Sequence, residues 1–242
     1  MSPGDIAISA KARLLLLSTS TVFGSGYFDY AEAEVRDFLG ATPCLLFVPY
    51  ALQDLDAYAA KAQERFARMG IRADSIHKAG DARQAVQEAD AIFIGGGNTF
   101  RLLKKLYDLD LLDAIRGQVA NGMPYMGASA GSNVATPTIR TTNDMPIVQP
   151  PSFGALGLVS FQINPHYLDP DPGSTHMGET REERIVQFLE ENMTSVLGLR
   201  EGGIIRVEQG RAQLKGVAGG RLFRRGVAPV ELSPGADLTG LL

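Results

Sequence analysis

The chain has a single cysteine, Cys44, among its 242 residues. That excludes an intrachain disulfide and fits a reducing compartment. Cys44 lies in the apolar stretch 43–48 and reads as buried core. No stretch approaches the roughly 18 uninterrupted apolar residues of a spanning helix, and Met1–Lys11 has no apolar centre of the kind a secretory signal carries. A cytoplasmic protein without a membrane partner is expected. Runs of like charge are also missing: 23 basic and 27 acidic residues give a net charge of -4, which offers nucleic acid no surface. An anionic substrate would therefore need a local cation.

What is present is an ordinary globular composition, 45% hydrophobic and 21% charged, enough for one substantial core. Compact apolar runs at 14–17, 45–48, 91–94 and 124–127 have the character of strands buried on both faces. Helix-period segments lie between them. The clearest is 55–69, with Asp54 as N-cap, Gly70 beyond its end, and Leu55, Tyr58, Ala59, Ala62, Phe66 and Met69 on one stripe. Weaker helical patterns cover 30–39, 82–89, 99–107 and 111–119. The alternation predicts an α/β fold: a three-layer sandwich around a mostly parallel sheet. The second half holds two turn-rich loops, 146–157 and 168–178, and loops of this length in a compact domain are usually functional. After them comes a capping box, Thr180 to Glu183, opening a helix over 181–191. Short strands at 196–199, 204–207, 212–214 and 221–223 predict an antiparallel C-terminal extension of the sheet. A single domain over 13–242 is expected, preceded by a disordered extension, 1–12.

Ligands of open α/β sheets bind beyond the carboxyl ends of the strands, and four polar places follow strand runs. Gly127-Ala128-Ser129-Ala130-Gly131 puts a serine between small residues where a strand gives way to a helix, as in a nucleophile elbow. Gly95-Gly96-Gly97-Asn98 follows the third strand, His166 follows 161–163 and Glu201 follows 196–199. All four are expected on one edge of one sheet. A serine hydroxyl needs a base to take its proton, and imidazole, with a reference pKa of about 6.5, is suited to that near neutrality. His166 is the best of three histidines, because Pro165 fixes a rigid corner before it. His77 has no obvious partner, and His176 lies in a Gly/Ser/Thr-rich loop where solvent exposure is expected. Either Glu201 or Asp144 can orient the imidazole. The glycine run can cradle a phosphate, although neither G-x-G-x-x-G nor Gly-Lys-Ser/Thr spacing is present. Alternatively it forms an oxyanion hole, with the amides of Gly97 and Ala130 aimed at the reacting carbonyl oxygen.

These residues resemble peptidase E, the α-aspartyl dipeptidases among the serine peptidases. The resemblance runs through the Leu-Leu-Leu-Leu-Ser block ending at Ser18, Phe93 to Phe100, Ser129-Ala130-Gly131, Thr141 to Val148, Ile163-Asn164-Pro165-His166, Gly178-Glu179-Thr180-Arg181 and Gly198 to Gly202. The Thr-Asn-Asp-Met-Pro and Gly-Glu-Thr-Arg segments are far more specific than any glycine pattern. The resemblance implies a fold like class I glutamine amidotransferases or flavodoxin, with Ser129 as nucleophile, His166 as base and Glu201 rather than Asp144 as acid. It also implies a small peptide substrate, Asp-Xaa, with Arg181 meeting the aspartyl carboxylate. Asp144 is assigned to the free α-amino group, and Asn98 either contacts substrate or caps the following helix. Ser132, where relatives often carry Ala or Thr, reads as helix packing or capping. No metal or cofactor enters this scheme, and the protein is expected to be a monomer or homodimer. A cyanophycinase-like hydrolase of an Asp-Arg polymer and a non-catalytic amidotransferase-like binding module are the alternatives.

Overall fold

The central strands of the first half pair side by side because their side chains are apolar on both faces, and the edge strand Arg72–Ser75, Arg-Ala-Asp-Ser, buries only one. The computed structural model, which describes residues 9–175 and 177–242, places them at β1 (Leu14–Leu17), β2 (Cys44–Val48), β3 (Arg72–Ser75), β4 (Ala91–Ile94) and β5 (Tyr125–Ala128). They run parallel in the order β3-β2-β4-β5-β1. Leu15, Leu17, Phe47 and Phe93 pack on one face against α1 (Glu32–Leu39) and α2 (Leu55–Arg68). Leu14, Leu16, Ile92 and Ile94 pack on the other against α3 (Ala82–Gln87), α4 (Thr99–Asp108) and α5 (Leu112–Ala120). This period-two division of one strand between two helical layers is the expected three-layer sandwich. α2 and α3 start where side chains can satisfy their first amides: Asp54 accepts from Ala57 N–H and Asp81 from those of Arg83 and Gln84.

The C-terminal third departs from the expected single sheet. β6 (Gln162–Pro165) and β7 (Val196–Leu199) pair in parallel but not with the main sheet. The place beside β1 is taken instead by β8 (Gly203–Glu208), which returns antiparallel and is followed by β9 (Arg211–Gly216). β7 continues into β10 (Gly220–Arg224) and β11 (Val227–Leu232), completing a separate four-stranded sheet. One face of that sheet, with Ile163, Leu197 and Leu199, joins the main core. The other, with Val196 and Phe223, is covered by Ile185 and Leu189 of α7 (Arg181–Glu191). β11 was not expected: its side chains are mostly exposed and it carries Pro229, which only an edge strand tolerates.

Cys44 is half-buried rather than core. It opens β2 opposite Arg72 of β3, whose Nε lies 3.3 Å from its sulfur. Of the segment 1–12, residues 1–8 lie outside the described residues. Within the rest, Ser9 donates to the Ala120 carbonyl (2.8 Å) and Ala12 is buried. In the loop 146–157 the last residues are fastened down. Tyr107 donates to Gly154 O, and Arg116 to the carbonyls of Ala155 and Leu156.

Candidate active site

β1, β4 and β5 all end at the same edge of the main sheet, and the chain there turns sharply. After β5 it passes through Ser129 at φ 53°, ψ -109° into the short helix α6 (Ala130–Asn133). Few non-glycine residues adopt this conformation, and such strain collects at functional sites. The flanking glycines are required by close approach: a Cβ on Gly131 would lie 2.0 Å from the Ile94 carbonyl oxygen, and one on Gly127 2.5 Å from that of Gly131. Ser129 N–H donates to Leu17 O (3.0 Å), which fastens the turn to β1. Ser132 is fully buried, its hydroxyl 2.7 Å from Leu17 O and 2.9 Å from Gly127 O. That is the packing role expected of it.

His166 leaves β6 at φ 54°, another left-handed non-glycine. Its Nε2 lies 2.8 Å from Ser129 Oγ and its Nδ1 2.7 Å from Glu201 Oε1. An ionised carboxylate only accepts, so Nδ1 carries the proton and Nε2 is left to accept from the serine hydroxyl. Serine, histidine and glutamate are thus in line, although they come from two sheets rather than from one edge of one. Glu201 sits in the turn between β7 and β8, next to Arg200, which grips Asp169 with two hydrogen bonds of 2.7 Å and also reaches Glu231. These partners raise the Arg200 pKa further above its already high ordinary value. Tyr30 donates to Thr19 O (2.6 Å), and burial, with the Glu201 charge nearby, pushes its phenol well up, so it stays a neutral donor.

The glycine run lies directly against the serine: a Cβ on Gly96 would be 3.1 Å from Ser129 Cβ. Gly97, at φ 135°, has no room for a side chain beside Ala51 O (2.7 Å). Among the described residues, the N–H groups of Gly97 and Ala130 have no acceptor. The hydroxyl of Tyr58 takes the place a Cβ on Gly95 would need.

Two residues expected at the substrate are already engaged within the protein. Asn98 Oδ1 accepts from Arg101 N–H (3.0 Å) and its Nδ2 donates to Met145 O (2.9 Å), so it caps α4. Truncating it, as Asn98→Ala, should lower stability by about 1 kcal/mol, readable as a shift in urea midpoint with unchanged slope. Asp144 Oδ2 accepts from both the amide (2.7 Å) and the hydroxyl (2.6 Å) of Thr99, at the positive end of α4. Arg181 differs. It opens α7 under the capping box of Thr180 and Glu183, and it forms no hydrogen bond or ion pair with any described residue. Burial lowers its pKa, the Arg184 charge adds to that, and Asp144 partly offsets both. A guanidinium remains charged regardless. A half-buried cation whose side chain has no such partner is a candidate anion site.

His77, for which the sequence offered no partner, has two: Ser75 Oγ at 2.7 Å from Nδ1 and Asp56 Oδ1 at 3.0 Å from Nε2. Composition alone makes this a second serine-histidine-carboxylate set. Ser75, however, ends an ordinary extended strand (φ -103°, ψ 128°). It leads into a single 3-10 turn, Ile76–Lys78, without the strained backbone of Ser129, and the set clasps this turn to α2. A cleft of about 520 Å³ lies nearby, lined by Cys44, Arg72, Asp74 and Lys78. Its lining runs along the edge strand β3 as far as Ser75 and does not include Ser129. His176 lies outside the described residues. The places of Ser18, Tyr58 and Arg200 beside the site were not read from the sequence. The signal for Ser18 was there, a polar residue directly after an apolar strand.

The sequence matches the model of peptidase family S51 over residues 14–215. A Streptomyces coelicolor protein described as peptidase E is 59% identical over 229 residues, covering 95% of this chain and 94% of its own. A Drosophila melanogaster protein described as a probable alpha-aspartyl dipeptidase is 50% identical over 237 residues, covering 96% and 99%. The crystal structure of a peptidase from an acI-B1 Actinobacterium superposes with a TM-score of 0.70 over 94% of this chain and 96% of that one. At 14% identity it speaks for the fold alone.

Proposed function

The chain belongs to peptidase family S51, and from that membership we propose that it hydrolyses dipeptides with an N-terminal aspartate through an acyl-enzyme on Ser129. It is a serine-type dipeptidase. The observation that carries the reading is the hydrogen-bonded line from Ser129 through His166 to Glu201, starting from a strained turn with unpaired amides beside it. Ser129 Oγ attacks the aspartyl carbonyl carbon as its proton passes to His166 Nε2, and Glu201 stabilises the imidazolium through Nδ1–H. The carbonyl oxygen, now an anion, rests on the Gly97 and Ala130 amides. Losing one such donor typically costs about 3 kcal/mol of transition-state stabilisation. Collapse expels Xaa, whose amine takes the proton from Nε2. Water, activated by the same imidazole, then hydrolyses the ester and releases aspartate.

Arg181, partly desolvated and with no side-chain partner among the described residues, supports recognition of the aspartyl side-chain carboxylate. Asp144 keeps Oδ1 without a protein partner among the described residues and is assigned to the α-amino group. Asn98 holds the glycine turn rather than the substrate. Asp-Leu, Glu-Leu and Ala-Leu, offered to the purified protein, provide the test. Asp-Leu should be cleaved at least ~100-fold faster than the other two, and equal rates would contradict the reading. Release of arginine from β-Asp-Arg is not expected. That result would favour the cyanophycinase-like alternative.

A further inference from the structure

The nucleophile and the base stand on different sheets: Ser129 follows β5 of the seven-stranded sheet and His166 follows β6 of the four-stranded one. No backbone ladder joins these sheets, yet Oγ and Nε2 are 2.8 Å apart. Side chains must therefore set the distance. Asn133 helps at mid-strand, donating to Ile163 O (2.8 Å) three residues before the histidine. Among the described residues, one side chain holds the backbone of His166 itself. Ser18 is fully buried, accepts from His166 N–H (2.8 Å) and donates to Leu199 O (2.7 Å), two residues before Glu201. The carbonyl of Leu17, the residue before Ser18, accepts the amide of Ser129 (3.0 Å).

We infer that Ser18 is a positioning residue for the catalytic line, its buried hydroxyl registering the backbones of His166 and Leu199 against the strand end that holds Ser129. The inference rests on the reading of Ser129 and His166 as nucleophile and base. A left-handed backbone at a histidine is held only by its surroundings, and the His166 amide is the group through which Ser18 holds it. Alanine at 18 would leave that amide and the Leu199 carbonyl without this partner, so the imidazole could settle elsewhere while the substrate pocket around Arg181 stayed intact.

The test compares wild type, Ser18→Ala and Ser18→Thr for Asp-Leu kinetics and for the rate of Ser129 labelling by a fluorophosphonate, well below their melting temperatures. Ser18→Ala should lose about 10- to 100-fold in kcat, the scale of a displacement near 1 Å, with KM nearly unchanged. Labelling should slow by a similar factor, and Ser18→Thr, which keeps the hydroxyl, should recover most of both. A kcat within about two-fold of wild type, a loss confined to KM, or a folded Ser18→Thr no faster than Ser18→Ala would overturn the inference. If Ser18→Ala does not fold, Ser18→Cys, which keeps the shape and weakens the hydrogen bonds, carries the same criteria. Failure of the substrate reading is distinguishable: wild type would label on Ser129 without cleaving Asp-Leu, and the labelling rates would still decide the role of Ser18.

Discussion

Ser129→Ala should lower kcat on Asp-Leu by about 10⁵-fold, the scale on which a lost nucleophile in a serine triad is felt. KM should scarcely move, because the missing oxygen reacts with substrate rather than binding it. No neighbouring hydroxyl can take over. Ser132, one turn along, is fully buried and hydrogen-bonded to two backbone carbonyls. The turn itself should survive, since the Ser129 amide and carbonyl keep their bonds to Leu17 and Asn133. Adding His166→Ala should cost little more, because groups that act as a unit are lost together. Active-site titration beside the kinetics separates residual catalysis from contamination. A Ser129→Ala enzyme within about ten-fold of wild type would remove serine from the mechanism.

Arg181→Met should change selectivity rather than chemistry. Pairing a desolvated guanidinium with the aspartyl carboxylate should contribute about 2–5 kcal/mol, so kcat/KM for Asp-Leu should fall roughly 30- to 4,000-fold. Ala-Leu, which has no side-chain carboxylate on its first residue, should be turned over as slowly as before. Arg181→Lys should recover only part, because an ammonium lacks the planar fork that grips two oxygens. The fold is not at stake: Arg181 makes no hydrogen bond within the described protein, and the capping box of α7 belongs to Thr180 and Glu183. Equal losses on Asp-Leu and Ala-Leu, measured as ratios of kcat/KM, would place Arg181 outside the carboxylate pocket.

Much of this was legible because its signals are local. The apolar runs of β1 and β4 and the capping box of α7 fall where the sequence put them, since burial on both faces and amide capping are properties of a few adjacent residues. The elbow was legible for the same reason, its glycines being dictated by contacts within one turn. Strand order was not. Whether β6 and β7 extend the main sheet or form their own depends on β8 doubling back to occupy the edge beside β1, a choice made between residues some 190 positions apart. The exposed strand β11 left no apolar pattern to read. For Asn98 the sequence left two roles open, substrate contact or helix cap, and the coordinates show its side chain on the Arg101 amide and the Met145 carbonyl. That one oxygen of Asp144 is held by the amide and hydroxyl of Thr99, 45 residues away, was not legible in the sequence. Ser18 was hidden similarly, because its partners, His166 and Leu199, are 148 and 181 residues away.

The most direct test of the central claim is to locate the reactive serine by mass spectrometry after treatment with a fluorophosphonate. One adduct is predicted, on the peptide containing Ser129. Its formation should be slowed by free aspartate but not by alanine, and abolished in His166→Ala. No adduct, or an adduct on Ser75 beside His77, would contradict the account.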